Sequence, residues 1–215
     1  MLPLLIILQF AAITISSATI QSPEDVLDGR LGVTDRRYLT MKVAMEIMRN
    51  RGYKTLVETG TARRGDRGCQ SDGCSTVIFS RWTMQHPKMR FISVDNSEQA
   101  IADATDVVGY YNQTTLVLAD SVAFLKEFSG LIDFLYLDTM DFDSNNPRPS
   151  QELPLREIIA AYPKLHEDSM VMVDDCGLSF GGKCTLVELF LKELGWRTLM
   201  KGYQLIMVTG KRVVL

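Results

Sequence analysis

The chain has 215 residues, of which 23% are charged, and a formal net charge of -3 at pH 7. That length suits one α/β domain, because a single core can grow to this size before it divides. The acidic balance offers no basic field to a nucleic-acid backbone, and low-complexity tracts and internal repeats are absent, so general nucleic-acid binding is not expected.

In chain order, an apolar stretch runs from Leu2 to Ile15, broken by Pro3, Gln9 and Thr14, and is followed by Ser16-Ser17-Ala18. Small residues there suit signal-peptidase cleavage after Ala18. The stretch falls short of the ~20 apolar residues of a membrane span. The first basic residue is Arg30, so the body is expected to follow the segment across the membrane. Residues 1–18 therefore read as a signal peptide of a secreted or secretory-lumen protein, with an uncleaved N-terminal membrane anchor as the alternative. Residues 19–34 read as a polar linker and 35–215 as the folded domain. Four cysteines, Cys69, Cys74, Cys176 and Cys184, allow two disulfides. A zinc site and buried free thiols are the alternatives. Asn112-Gln113-Thr114 is a glycosylation sequon.

Leu39, Val43, Ile47 and Met48 stand at helical spacing and predict a helix over 37–51, stopped at Gly52. A strand over 54–59 follows, then a long polar loop, and Ser75 opens a helix to about residue 85. Next come strand 90–95, helix 98–111, strand 115–119, helix 121–128 and strand 132–138. A second long loop, 139–150, holds Asp141 and Asp143, expected to cap or solvate it. Helix 151–165, strand 169–174, helix 183–194 and strands 197–201 and 203–209 complete the chain. Gly202 and Tyr203 leave too little chain for a crossover, so the last two strands pair as an antiparallel hairpin. The alternation predicts an α/β fold: a Rossmann-like doubly wound sheet of five parallel strands plus a C-terminal antiparallel hairpin. Trp82 and Trp196 are expected in the core, and His86 and His166 at helix ends.

The five parallel strands end in Glu58-Thr59-Gly60, Asp95, Asp120, Asp138 and Asp174-Asp175. An open α/β sheet binds its ligand outside those carboxyl ends. A carboxylate accepts both hydroxyls of a ribose, and a glycine lets backbone approach a ligand closely. A dinucleotide fold would carry G-x-G-x-x-G at the first turn, and residues 58–65 place only one of its glycines convincingly. Glu58 would also repel a diphosphate. Asp138, Asp174 and Asp175 gather like charges in one cleft, for which a divalent cation is the simplest compensation. Helix capping is the alternative role for each strand-end acid.

From residue 37 to 209 this arrangement resembles the class I S-adenosylmethionine-dependent methyltransferases. The resemblance implies that Glu58 and Gly60 hold the methionine part of S-adenosylmethionine, Asp95 its ribose, and Asp120 with Ser121 its adenine. The acids after strands four and five resemble the metal-assisted O-methyltransferase branch, in which Asp138, Asp174 and Asp175 would hold Mg2+ against a substrate hydroxyl. Asp175 stands where that branch often has Asn. Asp138 and Lys183 are the expected catalytic residues, Lys183 as a base or an anchor for an acidic substrate, with a solvated lysine as the alternative. Arg63, Arg64 and Arg67 in the loop 62–73 are expected to hold an anionic group from a lid, with a solvated surface loop as the alternative. The function implied is O-methyl transfer to a small molecule or glycan. Alternatives are a non-catalytic secreted binding module with this fold and a nucleotide-dependent oxidoreductase.

Overall fold

The computed structural model describes residues 21–209, so the expected signal peptide or anchor at 1–18 lies outside the described residues. The first helix, α1, spans Pro23–Leu27 within the expected linker. Ser22 and Asp25 close a capping box at its start, and Val26 and Leu27 are fully buried, so this stretch packs on the body. Helix α2 (Tyr38–Arg51) stops at Gly52, whose φ of 64° lies in the left-handed region glycine tolerates.

The remaining elements alternate. They are β1 (Thr55–Thr59), a short α3 (Cys69–Asp72), α4 (Ser75–Met84), β2 (Arg90–Asp95), α5 (Glu98–Val108), β3 (Thr114–Leu118) and α6 (Ser121–Glu127), then β4 (Ile132–Leu137), α7 (Pro147–Ala161), β5 (Leu165–Val173), α8 (Thr185–Glu193), β6 (Trp196–Lys201) and β7 (Leu205–Thr209). Helix α7 starts before the expected 151, because Pro147 suits the first helical position, where no N–H is needed. Helix α8 starts two residues after Lys183, because Gly181 and Gly182 adopt positive φ and interrupt the turn.

The sheet order is β3-β2-β1-β4-β5-β7-β6. The first five of these strands run parallel, and β7 is antiparallel to both β5 and β6, as the short turn at Gly202 requires. Alternate residues of the central strands face opposite layers. Leu56, Phe134, Tyr136, Met170 and Met172 meet α1, α2 and α4 on one face. Val57, Leu135, Leu137, Val171 and Val173 meet α6, α7 and α8 on the other. Both faces being covered explains why these strands read as continuous apolar runs. Phe79 of α4 sets its ring edge-on to Phe91, Phe134 and Tyr136 at 5.8, 5.2 and 5.6 Å. Trp82 and Trp196 are buried, as expected.

Candidate active site

The chain leaves β1 toward β2 on one side and β4 on the other, so the strand order reverses between β1 and β4. A crevice opens at such a reversal, beyond the carboxyl ends of the strands. Here it is a cavity of about 550 Å³ whose wall includes Gly60, Thr61, Asp95, Ser97, Asp138, Asp174, Asp175 and Lys183. Gly60 has φ 87°, and a Cβ on it would lie 2.3 Å from the Asp138 carbonyl oxygen. Glycine is therefore required where β1 and β4 converge.

Glu58 is fully buried and does not reach the cavity wall. Its Oε2 accepts hydrogen bonds from Thr76 Oγ1 and Ser93 Oγ, each at 2.6 Å. Thr76 Oγ1 accepts in turn from the Ala62 backbone N–H at 2.8 Å, and Ser93 Oγ lies 2.8 Å from Thr61 Oγ1. Glu58 thus holds the turn after β1 from beneath. Burial raises its pKa to about 7, against the opposing hydrogen bonds of Ser75, Ser93 and Thr76.

Asp95 does reach the cavity. One carboxylate oxygen accepts from Thr61 N and the other from Ser97 N, both at 2.8 Å, which leaves a lone pair on each for a ligand. Asp120 and Ser121, expected beside the adenine, are not among the residues of this cavity's wall. Asp120 caps α6 by accepting from Ala123 N at 2.8 Å. Ser121 Oγ donates to the buried Glu157, whose other oxygen accepts from Thr59 and Thr139 at 3.1 and 3.0 Å. Glu157 went unnoticed in the sequence because one acid among the charged residues of its helix, beside Glu152 and Arg156, carries no local signal.

Asp138, Asp174 and Asp175 are brought together, with ligand atoms within 4.8 Å of one another. Their compensation comes from the chain itself. Lys183 Nζ lies 2.9 Å from Asp138 Oδ1 and 3.0 Å from Asp175 Oδ2, and the residue is 1% exposed, so it is not a solvated lysine. Arg37 Nε donates to Asp174 Oδ2 at 3.1 Å, and its Nη2 lies 4.0 Å from Asp175 Oδ1. Tyr203 OH donates to Asp175 and accepts from Arg37 Nη2 at 3.2 Å. Burial works against the Lys183 ammonium, but Asp138, Asp175 and Asp174 outweigh it and raise its pKa. Asp174 Oδ1 is buried without a hydrogen-bond partner among the described residues. Arg37 was missed because it lies 137 residues from Asp174 and precedes an ordinary helix.

The loop after β1 carries one of the two disulfides that the four cysteines allow. Cys69 and Cys74 form a disulfide, whereas Cys176 and Cys184 are buried free thiols. Arg63 makes a bidentate pair with Asp141 at 2.8 and 2.7 Å, and Arg63 and Arg64 face Asp72 at 3.7 and 3.5 Å. Neighbouring acids thus already engage two of the three arginines. Asp143 caps its own loop through Asn145 N at 2.8 Å. His86 follows α4 and its Nδ1 meets Trp82 O at 2.7 Å, while His166 lies in β5 and meets Asp133 at 2.9 Å.

No protein-family model and no curated protein sequence matches the chain. Solved structures do. A candidate caffeoyl-CoA O-methyltransferase from Staphylococcus aureus superposes with TM-score 0.56 and 14% identity over 88% of this chain and 91% of that one. The SAH-bound methyltransferase PaMTH1 of Podospora anserina gives TM-score 0.58 and 14% identity over 81% and 79%. The O-methyltransferase NovP gives 0.56 and 13% over 81% and 79%. The chain has the class I methyltransferase fold.

S-adenosylmethionine, the cofactor that the sequence resemblance implies, is a cation with a ribose diol, and the residues of the cavity wall fit one. Its wall is rich in carboxylate oxygen, Asp95 has lone pairs for a diol, and the orphaned Asp174 Oδ1 offers a buried acceptor. A magnesium ion fits less well. It needs oxygens at about 2.0–2.1 Å in near-ideal octahedral geometry. The Lys183 ammonium already occupies Asp138 and Asp175, and would repel an ion drawn to the same lone pairs.

Proposed function

We propose that this protein is an S-adenosylmethionine-dependent methyltransferase that methylates a hydroxyl of a small molecule. The observation that carries this reading is the juxtaposition, at the strand-order reversal, of Gly60, Asp95 and Asp174 around one cavity, with Asp174 Oδ1 buried and without a hydrogen-bond partner among the described residues. Structural neighbours described as O-methyltransferases, and one described as SAH-bound, support it.

When bound, the cofactor supplies a methyl on a sulfonium sulfur, which an oxygen lone pair takes as the C–S electrons return to sulfur and the hydroxyl proton leaves to a base. Asp95 holds the ribose hydroxyls by charge-assisted hydrogen bonds. Gly60 admits the ligand to the backbone of β1. Asp174 Oδ1 accepts the acceptor's hydroxyl proton; burial raises the pKa of Asp174, which favours that protonated state. Arg37 keeps Asp174 oriented from its other oxygen. No step here needs a divalent ion, since Lys183 and Arg37 balance most of the acid charge.

Calorimetric titration with S-adenosylmethionine tests the reading directly. A 1:1 site is expected, and no heat of binding at any magnesium concentration would sink it. The same proposal places the body in an oxidising secretory compartment, with the Cys69–Cys74 disulfide in support. No helix among the described residues is long and apolar enough to cross a membrane.

A further inference from the structure

Lys183 is held at both ends. Its backbone N–H donates to the Asp175 carbonyl at 3.1 Å, while its Nζ reaches Asp138 Oδ1 at 2.9 Å and Asp175 Oδ2 at 3.0 Å. The residue is 1% exposed, yet it forms part of the cavity wall. An ammonium has three N–H groups, and two carboxylates account for two of them.

We propose that Lys183 takes the place of a divalent cation in the methyl-transfer site: its ammonium occupies the position between Asp138 and Asp175 and presents its remaining N–H to the cavity, where it holds the acceptor oxygen. The inference rests on the methyltransferase reading above. Lys183 and Arg37 bring two permanent positive charges to the three acids. An incoming ion would have to evict the ammonium from its two carboxylate partners, and an unpaired buried ammonium is costly. Methyl transfer at this site is therefore metal-independent, and the acids orient the lysine instead of an ion. Removing the ammonium would leave three converging carboxylates with Arg37 on only one side, which is a cation site.

Mn2+ binding by the purified full chain, followed by electron paramagnetic resonance, tests this, with S-adenosylmethionine calorimetry run on the same samples. Wild type is expected to show no stoichiometric Mn2+ site. Lys183→Met is expected to gain one site per chain, binding at least about tenfold more tightly than wild type, a difference of about 1.4 kcal/mol. Adding Asp138→Asn to that variant should abolish the gain. A stoichiometric Mn2+ site in wild type overturns the proposal, whatever the variants do. So does a folded Lys183→Met chain, checked by circular dichroism, that gains no site. Lys183→Gln serves if the methionine variant does not fold. Absence of S-adenosylmethionine binding would instead strike the methyltransferase reading and leave the Mn2+ result readable.

Discussion

Gly182 lies directly over Asp175: a Cβ on Gly182 would stand 1.7 Å from the Asp175 carbonyl oxygen and 2.9 Å from the Cys176 Cα. Gly182 also has φ 60° and Asp175 φ 54°, so two left-handed residues meet where the chain crosses itself beside the active site. The crossing is what delivers Lys183 to the acids. Gly182→Ala is expected to destabilise the protein by at least ~2 kcal/mol, as a steric clash against backbone with no room to relax. Urea unfolding measures it, and a loss under ~0.5 kcal/mol, the range of ordinary surface changes, would show that the crossing is not tight.

Asp95 and Asp120 look alike in the sequence but occupy different environments, and a paired substitution separates them. Asp95→Asn is expected to weaken S-adenosylmethionine binding by roughly 10- to 100-fold, the effect of losing charge-assisted bonds. Asp120→Ala is expected to cost ~1 kcal/mol of stability through its lost helix cap and to leave that affinity unchanged. Calorimetry and thermal unfolding on both variants distinguish the two roles. The reverse pattern would return Asp120 to the binding site.

Burial raises the pKa of both Glu58 and Glu157 from an ordinary value of 4.5 to about 7. Between these values the folded state binds more protons than the unfolded chain, so the stability linked to each group is full below pH ~4.5 and is lost as pH rises through about 7. The melting temperature should therefore fall from pH 5 to pH 8, with up to ~3 kcal/mol at stake per group. Glu157→Gln keeps hydrogen bonds to Ser121, Thr59 and Thr139 available and should flatten part of that slope. An unchanged slope would assign the dependence elsewhere.

The Cys69–Cys74 bridge closes a short loop beside the cavity. Loop entropy predicts that its reduction costs ~2 kcal/mol, visible as a fall of several degrees in melting temperature. Thiol titration of the denatured chain should find Cys176 and Cys184 before reduction and all four cysteines afterwards. Four reactive thiols at the outset would rule the bridge out.

Arg63 and Asp141, from the loops after β1 and β4, pair across the cavity wall with side chains 52% and 72% exposed. At that exposure the pair contributes no more than ~1 kcal/mol. Asp141→Ala should leave stability within that margin while speeding both association and release of S-adenosylmethionine in stopped-flow measurements. Unchanged rates would mean that the pair does not gate the cavity.

The elements that the sequence alone determined are those with local causes. Apolar runs of strand length specify β1, β2, β4 and β5, because strands buried on both faces carry no polar alternation. Gly52 ends α2 and the Gly202 turn forces the antiparallel hairpin, both through backbone sterics within a few residues. Strand order places the five acidic ends on one edge, so the cavity's position also followed from alternation. What each acid does there was decided by tertiary structure. Asp95 faces the cavity, Asp120 turns to its own helix, and Glu58 points beneath the turn, yet all three end an apolar run. The repulsion among Asp138, Asp174 and Asp175 was legible as a need for positive charge. The source of that charge was not, because Arg37 and Lys183 reach the cluster only through the folding of α2 and the crossing at Gly182. A sequence shows that charges must be balanced within a cleft, but the balancing partner is set by which distant backbones come within about 3 Å, and only packing decides that.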